Sequence, residues 1–229
     1  MDPLFISITT LTWAILHGLT FCLHHWFSCG VWKWGKEVAM EKWPPLPDIF
    51  HRNNPPKKWM APRLYKPFAY IQSGICAVPL LLLMAQSVGR SWTTWVETYR
   101  LLAACHIPLM LCRMVCFSVT LLPDVTQEFK IPKLMHGATY DLIYSGHVVF
   151  ALLPTFASIY LRDKIPGEKP YSTFPLLLLY ATLNLANIAG IVWCRRHYTV
   201  DVWLALVITF LFFYFATTAP GYVSLWKIT

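Results

Sequence analysis

Charged side chains are scarce in this sequence: 13% of its 229 residues are Asp, Glu, Lys or Arg, about half the share in a soluble domain. Together with a hydrophobic content of 56%, this scarcity indicates an integral membrane protein. The net charge is +8, but the basic residues lie between apolar segments and form no single basic surface. Nucleic acid is therefore not expected as a partner, whereas membrane lipids are.

Patterns that hold metals or disulfides are also missing. The seven cysteines form no CxxC pair and lie mostly inside apolar runs, so we expect buried thiols. The histidines show no HxxxH or HExxH spacing, which predicts that no metal is bound. No basic region precedes the first apolar stretch, so we expect that stretch to be retained as a span rather than cleaved as a signal peptide.

In place of charge the sequence has six apolar segments of roughly the 20 residues that cross a bilayer. We therefore predict an all-α polytopic membrane protein, with six transmembrane helices in one bundle and a single domain covering 1–229. The predicted spans are about 4–29, 67–88, 99–122, 142–161, 174–193 and 202–222. Short connections favour antiparallel packing of successive helices.

The longest connection, residues 33–66, is rich in proline and contains eight Lys or Arg. Most of its charges are expected to be solvated or to anchor the chain at the interface. Its segment "WPPLPD" differs, because a run of prolines is stiff. It predicts a fixed elbow at the membrane surface.

Four ionisable residues fall at membrane depth, where such groups are costly and are functional candidates by default. His197 and Asp201 are four residues apart, so a helix that includes both places them on one face. The carboxylate can then hold the imidazole in one tautomer, although an interfacial pair that only anchors the helix has the same spacing. Successive spans alternate in direction, so the connections before spans four and six lie on the same side, and we expect His147 to open toward the same side as this pair. Arg113, deep in the third span, needs an anionic partner, either a phosphate or a bundle carboxylate.

The other histidines considered have no acidic partner at helical spacing, and we expect interfacial or core roles for them. They are His17, His24, His25, His106 and His136.

Four motifs in register resemble one family. "YSGH" at 144–147 is followed, 50 residues after its histidine, by "HYTVD" at 197–201; upstream lie "PPLPDIF" at 44–50 and "CRMVCFSVTLLP" at 112–123. This set resembles the type 2 phosphatidic acid phosphatase superfamily, and specifically its sphingomyelin synthase-like branch. The KxxxxxxRP motif of ordinary members is missing, and Ile191 stands where their second arginine would be.

The resemblance implies a phosphotransfer mechanism without a cofactor. His197 attacks the phosphorus of a glycerophospholipid, Asp201 orients its ring, and His147 protonates the departing diacylglycerol and later deprotonates the acceptor. The residues assigned to the substrate phosphate are Arg113, Arg195, Arg196, Tyr144 and Ser145.

The implied activity is transfer of a phosphocholine-type head group to ceramide, as in sphingomyelin synthesis, with ceramide or diacylglycerol as acceptor. The sequence leaves three alternatives open. The first is a related transferase that uses diacylglycerol as acceptor or moves phosphoethanolamine or phosphoinositol. The second is a phospholipase C-like hydrolase or lipid phosphatase. The third is a lipid-binding membrane protein without catalysis.

Membrane orientation receives opposite indications. The resemblance implies a lumenal or extracellular site, in the Golgi apparatus, the endoplasmic reticulum or the plasma membrane. The predicted side that holds the site carries 12 Lys or Arg against six on the other, and the positive-inside rule places the more basic side in the cytosol. Both a monomer and a homo-oligomer are compatible with the sequence.

Overall fold

The computed structural model describes residues 3–37, 48–53, 62–87, 91–119, 144–162, 174–193 and 197–227. These residues form eight α-helices and no strand, which confirms the all-α prediction for that part of the chain. The helices are α1 Pro3–Glu37, α2 Ile49–Asn53, α3 Pro62–Ser87, α4 Trp92–Val119, α5 Gly146–Arg162, α6 Phe174–Trp193, α7 Thr199–Thr218 and α8 Pro220–Trp226.

Among the residues that the structure describes, four helices are long and apolar enough to cross a membrane, which suggests a membrane protein. Their apolar segments are Ile6–Gly30, Trp92–Cys116, Phe174–Trp193 and Thr199–Thr218. The predicted second and fourth spans correspond to the shorter apolar helices Tyr70–Gln86 and Gly146–Arg162. The structure therefore supports four of the six predicted spans by length and composition, and the six-span bundle stays a prediction.

Two of the differences between the helix boundaries and the predicted spans have a local cause. Within the predicted span 142–161, helix begins only at Gly146, because Tyr144 has a φ of 134°, which no α-helix accommodates. The predicted span 202–222 is divided at Ala219 into α7 and α8, since Pro220 has no backbone N–H with which to continue α7. Of the predicted connection 33–66, parts of α1 and α3 and the whole of α2 are described.

Side-chain contacts give the directions of the helices. On α1 and α4, Arg100 binds the Ile6 carbonyl and His106 lies 2.7 Å from His17, so these two helices run parallel. On α3 and α5, Cys76 binds the His147 carbonyl and Gln86 contacts Ser158, so these also run parallel.

Helix α5 is the centre of the core. It contacts α3, α4, α6 and α7, and nine of its residues are buried. The starts of α5 and α7 are joined by a hydrogen bond from the Ser145 N–H to the Asp201 carbonyl, at 3.3 Å. The first turns of both helices therefore meet at one end of the bundle.

Side chains of α8 donate hydrogen bonds to two backbone carbonyls that have lost their helical donor to a proline. Pro108 has no N–H for the Ala104 carbonyl, and the Tyr222 hydroxyl donates to that oxygen instead, at 2.6 Å. Pro220 likewise leaves the carbonyl of Ala216, four residues before it, without a helical donor. The indole N–H of the buried Trp226 donates to that oxygen at 2.8 Å. The short C-terminal helix thus satisfies backbone groups that would be costly in an apolar environment.

We expect Tyr222→Phe to destabilise the protein, because it removes only the hydroxyl and leaves the Ala104 carbonyl without that donor. Interhelical hydrogen bonds in membrane proteins are worth about 0.5–2 kcal/mol, so thermal unfolding in detergent should shift downward measurably. Tyr214→Phe is the matched control, since the Tyr214 side chain is 57% exposed. Equal shifts of the unfolding temperature for the two variants would contradict a stabilising role for the bond from the Tyr222 hydroxyl to the Ala104 carbonyl.

Candidate functional site

The turn before α5 is held in an unusual backbone conformation. Tyr144 has a positive φ and is fully buried, and its hydroxyl donates to the Leu109 carbonyl on α4 at 2.7 Å. The Ser145 carbonyl accepts the N–H groups of Val148 and Val149, so Ser145 is the N-cap of α5. The Ser145 hydroxyl is buried and has no hydrogen-bond partner within the described part of the chain.

Two helices, α3 and α6, hold the turn that contains His147, the second residue of α5. Its carbonyl oxygen accepts from the Cys76 thiol at 3.0 Å and from the Asn187 amide at 3.3 Å. Gln72 of α3 donates to the Asn187 side-chain oxygen at 2.6 Å, and it packs directly against Gly190, where a Cβ would lie 2.8 Å from its Cγ. These polar contacts fix the backbone from which the His147 imidazole projects.

The start of α7 holds the predicted histidine–aspartate pair. His197 Nδ1 lies 3.7 Å from Asp201 Oδ2, and both side chains are buried. The same oxygen accepts the Tyr198 N–H at 2.9 Å, so Asp201 also caps its own helix. The predicted helix containing both residues is replaced by a bend at His197 and a helix from Thr199, yet the two side chains still meet.

The two candidate catalytic imidazoles lie side by side. The ring centroids of His147 and His197 are 6.0 Å apart, with a 69° angle between the ring planes. Nδ1 is the nitrogen of the His197 ring that lies toward Asp201, and Nε2 is on the far side of the ring from that contact. His147 is half-buried, while His197 is nearly enclosed.

Arg113 brings a positive charge to the first residue of α5. A Cβ on Gly146 would lie 2.6 Å from one terminal nitrogen of the guanidinium and 3.2 Å from its central carbon. Only glycine admits the guanidinium at this distance. Arg113 is buried, as expected for an arginine deep in an apolar helix.

Five of the eight sequence-predicted site residues are thus near one another: His147, His197, Asp201, Arg113 and Ser145. Tyr144 is adjacent, but its hydroxyl is bound to Leu109, and its contact with a phosphate stays a prediction. Arg195 and Arg196 lie outside the described residues.

Asp48, Gln72 and Asn187 are site-supporting residues that the sequence interpretation did not include. Asp48 accepts hydrogen bonds from Thr199 at the start of α7. A usable signal existed for Gln72 and Asn187, because strongly polar side chains inside apolar helices usually find partners across the bundle. Asp48 belongs to the "PPLPD" segment, but nothing local in that segment indicates a contact with α7.

Two of the other histidines form a pair between α1 and α4. His17 Nε2 lies 2.7 Å from His106 Nδ1, and His17 Nδ1 lies 3.4 Å from the Tyr99 hydroxyl. Within the described residues, no three His, Cys, Asp or Glu side chains are grouped as a metal site.

Residues 140–218, about a third of the chain, match the family model described as PAP2 superfamily C-terminal. No curated protein matches the chain. The matched segment contains His147, His197 and Asp201, and it supports the type 2 phosphatidic acid phosphatase superfamily, with lipid phosphatase or phosphotransferase chemistry.

Proposed function

We propose that this protein is a membrane phosphotransferase that moves a phosphocholine-type head group from a glycerophospholipid to ceramide and releases diacylglycerol. The observation that carries the proposal is the pair of imidazoles 6.0 Å apart, with Asp201 behind His197. This separation can accommodate a phosphorus atom that one ring attacks while the other ring serves the leaving and entering oxygens.

In the first step, His197 Nε2 donates its lone pair to the phosphorus. The bond between phosphorus and the diacylglycerol oxygen breaks, and His147, in its protonated form, gives its proton to that oxygen. The Asp201 carboxylate stabilises the charge that develops on the His197 ring. The products of this step are diacylglycerol and a phosphohistidine that carries the head group.

In the second step, the primary hydroxyl of ceramide enters. His147, now neutral, takes the hydroxyl proton as the oxygen attacks phosphorus, and the bond between phosphorus and Nε2 breaks. One phosphodiester has replaced another, His147 is again protonated and His197 is regenerated. The exchange needs no external energy source.

The N-terminus of α5 supports binding of the phosphate. Helix N-termini attract anions, and here the Arg113 guanidinium lies against Gly146, the first residue of that helix. The buried Ser145 hydroxyl is next to it. Together they can neutralise charge that grows on the phosphate oxygens in the transition state.

Labelled phosphatidylcholine in proteoliposomes, with and without ceramide, tests the proposal. We expect continued turnover to labelled ceramide phosphocholine and diacylglycerol only when ceramide is present, because burial of His197 limits access of water to the intermediate. Without ceramide, release of diacylglycerol should stop at about one equivalent per protein, as the phosphohistidine accumulates. Mass spectrometry of the lipid products is the measurement.

Release of free phosphocholine at a rate independent of ceramide would contradict transfer and indicate hydrolysis. Parallel donors with phosphoethanolamine or phosphoinositol head groups, and diacylglycerol as acceptor, test the substrate assignment separately from the reaction type.

We expect His197→Ala to abolish both turnover and head-group label retained covalently on the protein, because it removes the nucleophile. The loss should be at least about 10³-fold, as for other catalytic nucleophiles. His25→Ala is the control, since His25 is an exposed histidine on α1. Retention of the label by the His197 variant would refute the phosphohistidine.

Gly146→Ala should reduce turnover by about tenfold or more, because the new methyl group would displace the Arg113 guanidinium. Gly74→Ala is the matched control: a Cβ there meets nothing within 4 Å. Rates should be measured with thermal stability in the same preparations. Full activity of the Gly146 variant would contradict the assignment of Arg113 to the substrate phosphate.

A further inference from the structure

A contact between distant segments holds the start of α7. The Thr199 N–H donates to Asp48 Oδ2 at 2.6 Å, and the Thr199 hydroxyl donates to Asp48 Oδ1 at 3.0 Å. The two residues are 151 positions apart in the sequence. Both oxygens of the Asp48 carboxylate therefore accept hydrogen bonds from a single residue of α7.

The Asp48 backbone is fixed independently of this contact. Its carbonyl accepts the Arg52 N–H at 2.8 Å, which starts the short helix α2. The side chain is thus presented from an ordered turn and not from an extended strand of loop. An acceptor held in this way limits the positions available to its donor.

The bound residue is the first of α7, where backbone N–H groups have no acceptor within the helix. Two carboxylates take neighbouring groups: Asp201 accepts from Tyr198, and Asp48 accepts from Thr199. Negative charge at this end is also favoured by the helix dipole. The first turn of α7 is therefore capped by two carboxylates, one from α7 itself (Asp201) and one from a distant segment of the chain (Asp48).

We propose that Asp48 is a positioning residue for the phosphotransfer site. By fixing Thr199 it fixes the turn that separates His197 from Asp201, and hence the 3.7 Å approach of the two side chains. Asp48 does not touch the reacting atoms; it acts through Thr199. This inference rests on the proposed function for its catalytic consequence, while the contact itself stands independently.

The test compares Asp48→Ala and Asp48→Asn in the full-length protein. For Asp48→Ala we expect kcat to fall about tenfold with little change in KM, because the nucleophile is misplaced while lipid binding is not. Asp48→Asn should stay within about threefold of the unsubstituted protein, since its amide can accept from the Thr199 N–H and donate to the Thr199 hydroxyl. Asn53→Ala, on the neighbouring exposed turn of α2, is the control.

Hydrogen exchange gives a readout that does not depend on turnover. Amides at the start of α7 should exchange about fivefold faster in Asp48→Ala, the factor expected from loss of a typical N-cap. Thr199→Val, which removes only the hydroxyl, should produce a smaller change. Thr182→Val is its control, because the Thr182 hydroxyl is exposed and binds its own helix.

Faster exchange with an unchanged kcat would overturn the positioning role, and unchanged exchange would overturn the contact. A loss of kcat that Asp48→Asn fails to restore would assign Asp48 a charge-dependent role instead and also reject the proposal. If the unsubstituted protein transfers no head group, the proposed function fails, and hydrogen exchange alone decides whether Asp48 fixes α7.

Discussion

The N-termini of two helices meet at one end of the bundle, and the charged side chains that contact them are of opposite sign. The start of α7 is bound by the carboxylates of Asp48 and Asp201, whereas the start of α5 lies against the Arg113 guanidinium. Every helix N-terminus attracts anions, but that of α7 already has its own. This difference favours an anionic group at α5 over α7, and it is the reason why the proposed function assigns the substrate phosphate to the start of α5.

Backbone groups that lack a partner within their helix also determine the packing far from this site. Backbone donors and acceptors without partners are costly in apolar surroundings, so a carbonyl that loses its helical donor to a proline is stabilised when another group donates to it. Tyr222 and Trp226 serve Ala104 and Ala216 in this way. Near the site, Gln72 and Asn187 perform a related role, because they connect α3 and α6 to the first turn of α5. The buried Gln72 and Asn187 thus hold α3, α5 and α6 in a fixed register near the site.

How much of the site follows from sequence depends on how local each contact is. The pairing of His197 with Asp201 was predictable from a spacing of four residues, even though the helix starts two residues later than that argument assumed. Span parity predicted that His147 opens toward the same side as that pair, and in the structure the rings of His147 and His197 lie 6.0 Å apart. The contacts of Asp48 with Thr199 and of Gln72 with Asn187 join segments 151 and 115 residues apart. No sequence periodicity encodes such pairs, since they depend on how the helices rotate and slide when they pack.

Helix α4 supports the site at two points on one face, and this arrangement keeps its parts in register. Leu109 and Arg113 are one helical turn apart; the first accepts the Tyr144 hydroxyl, and the second lies against Gly146. A positive φ at Tyr144 costs about 1–3 kcal/mol, which the buried hydroxyl bond and the Ser145–Asp201 bond help to offset. Any small shift of α4 would move the turn and the guanidinium together. The distance between Arg113 and the start of α5 is therefore less sensitive to helix motion than it would be if the two came from unconnected helices.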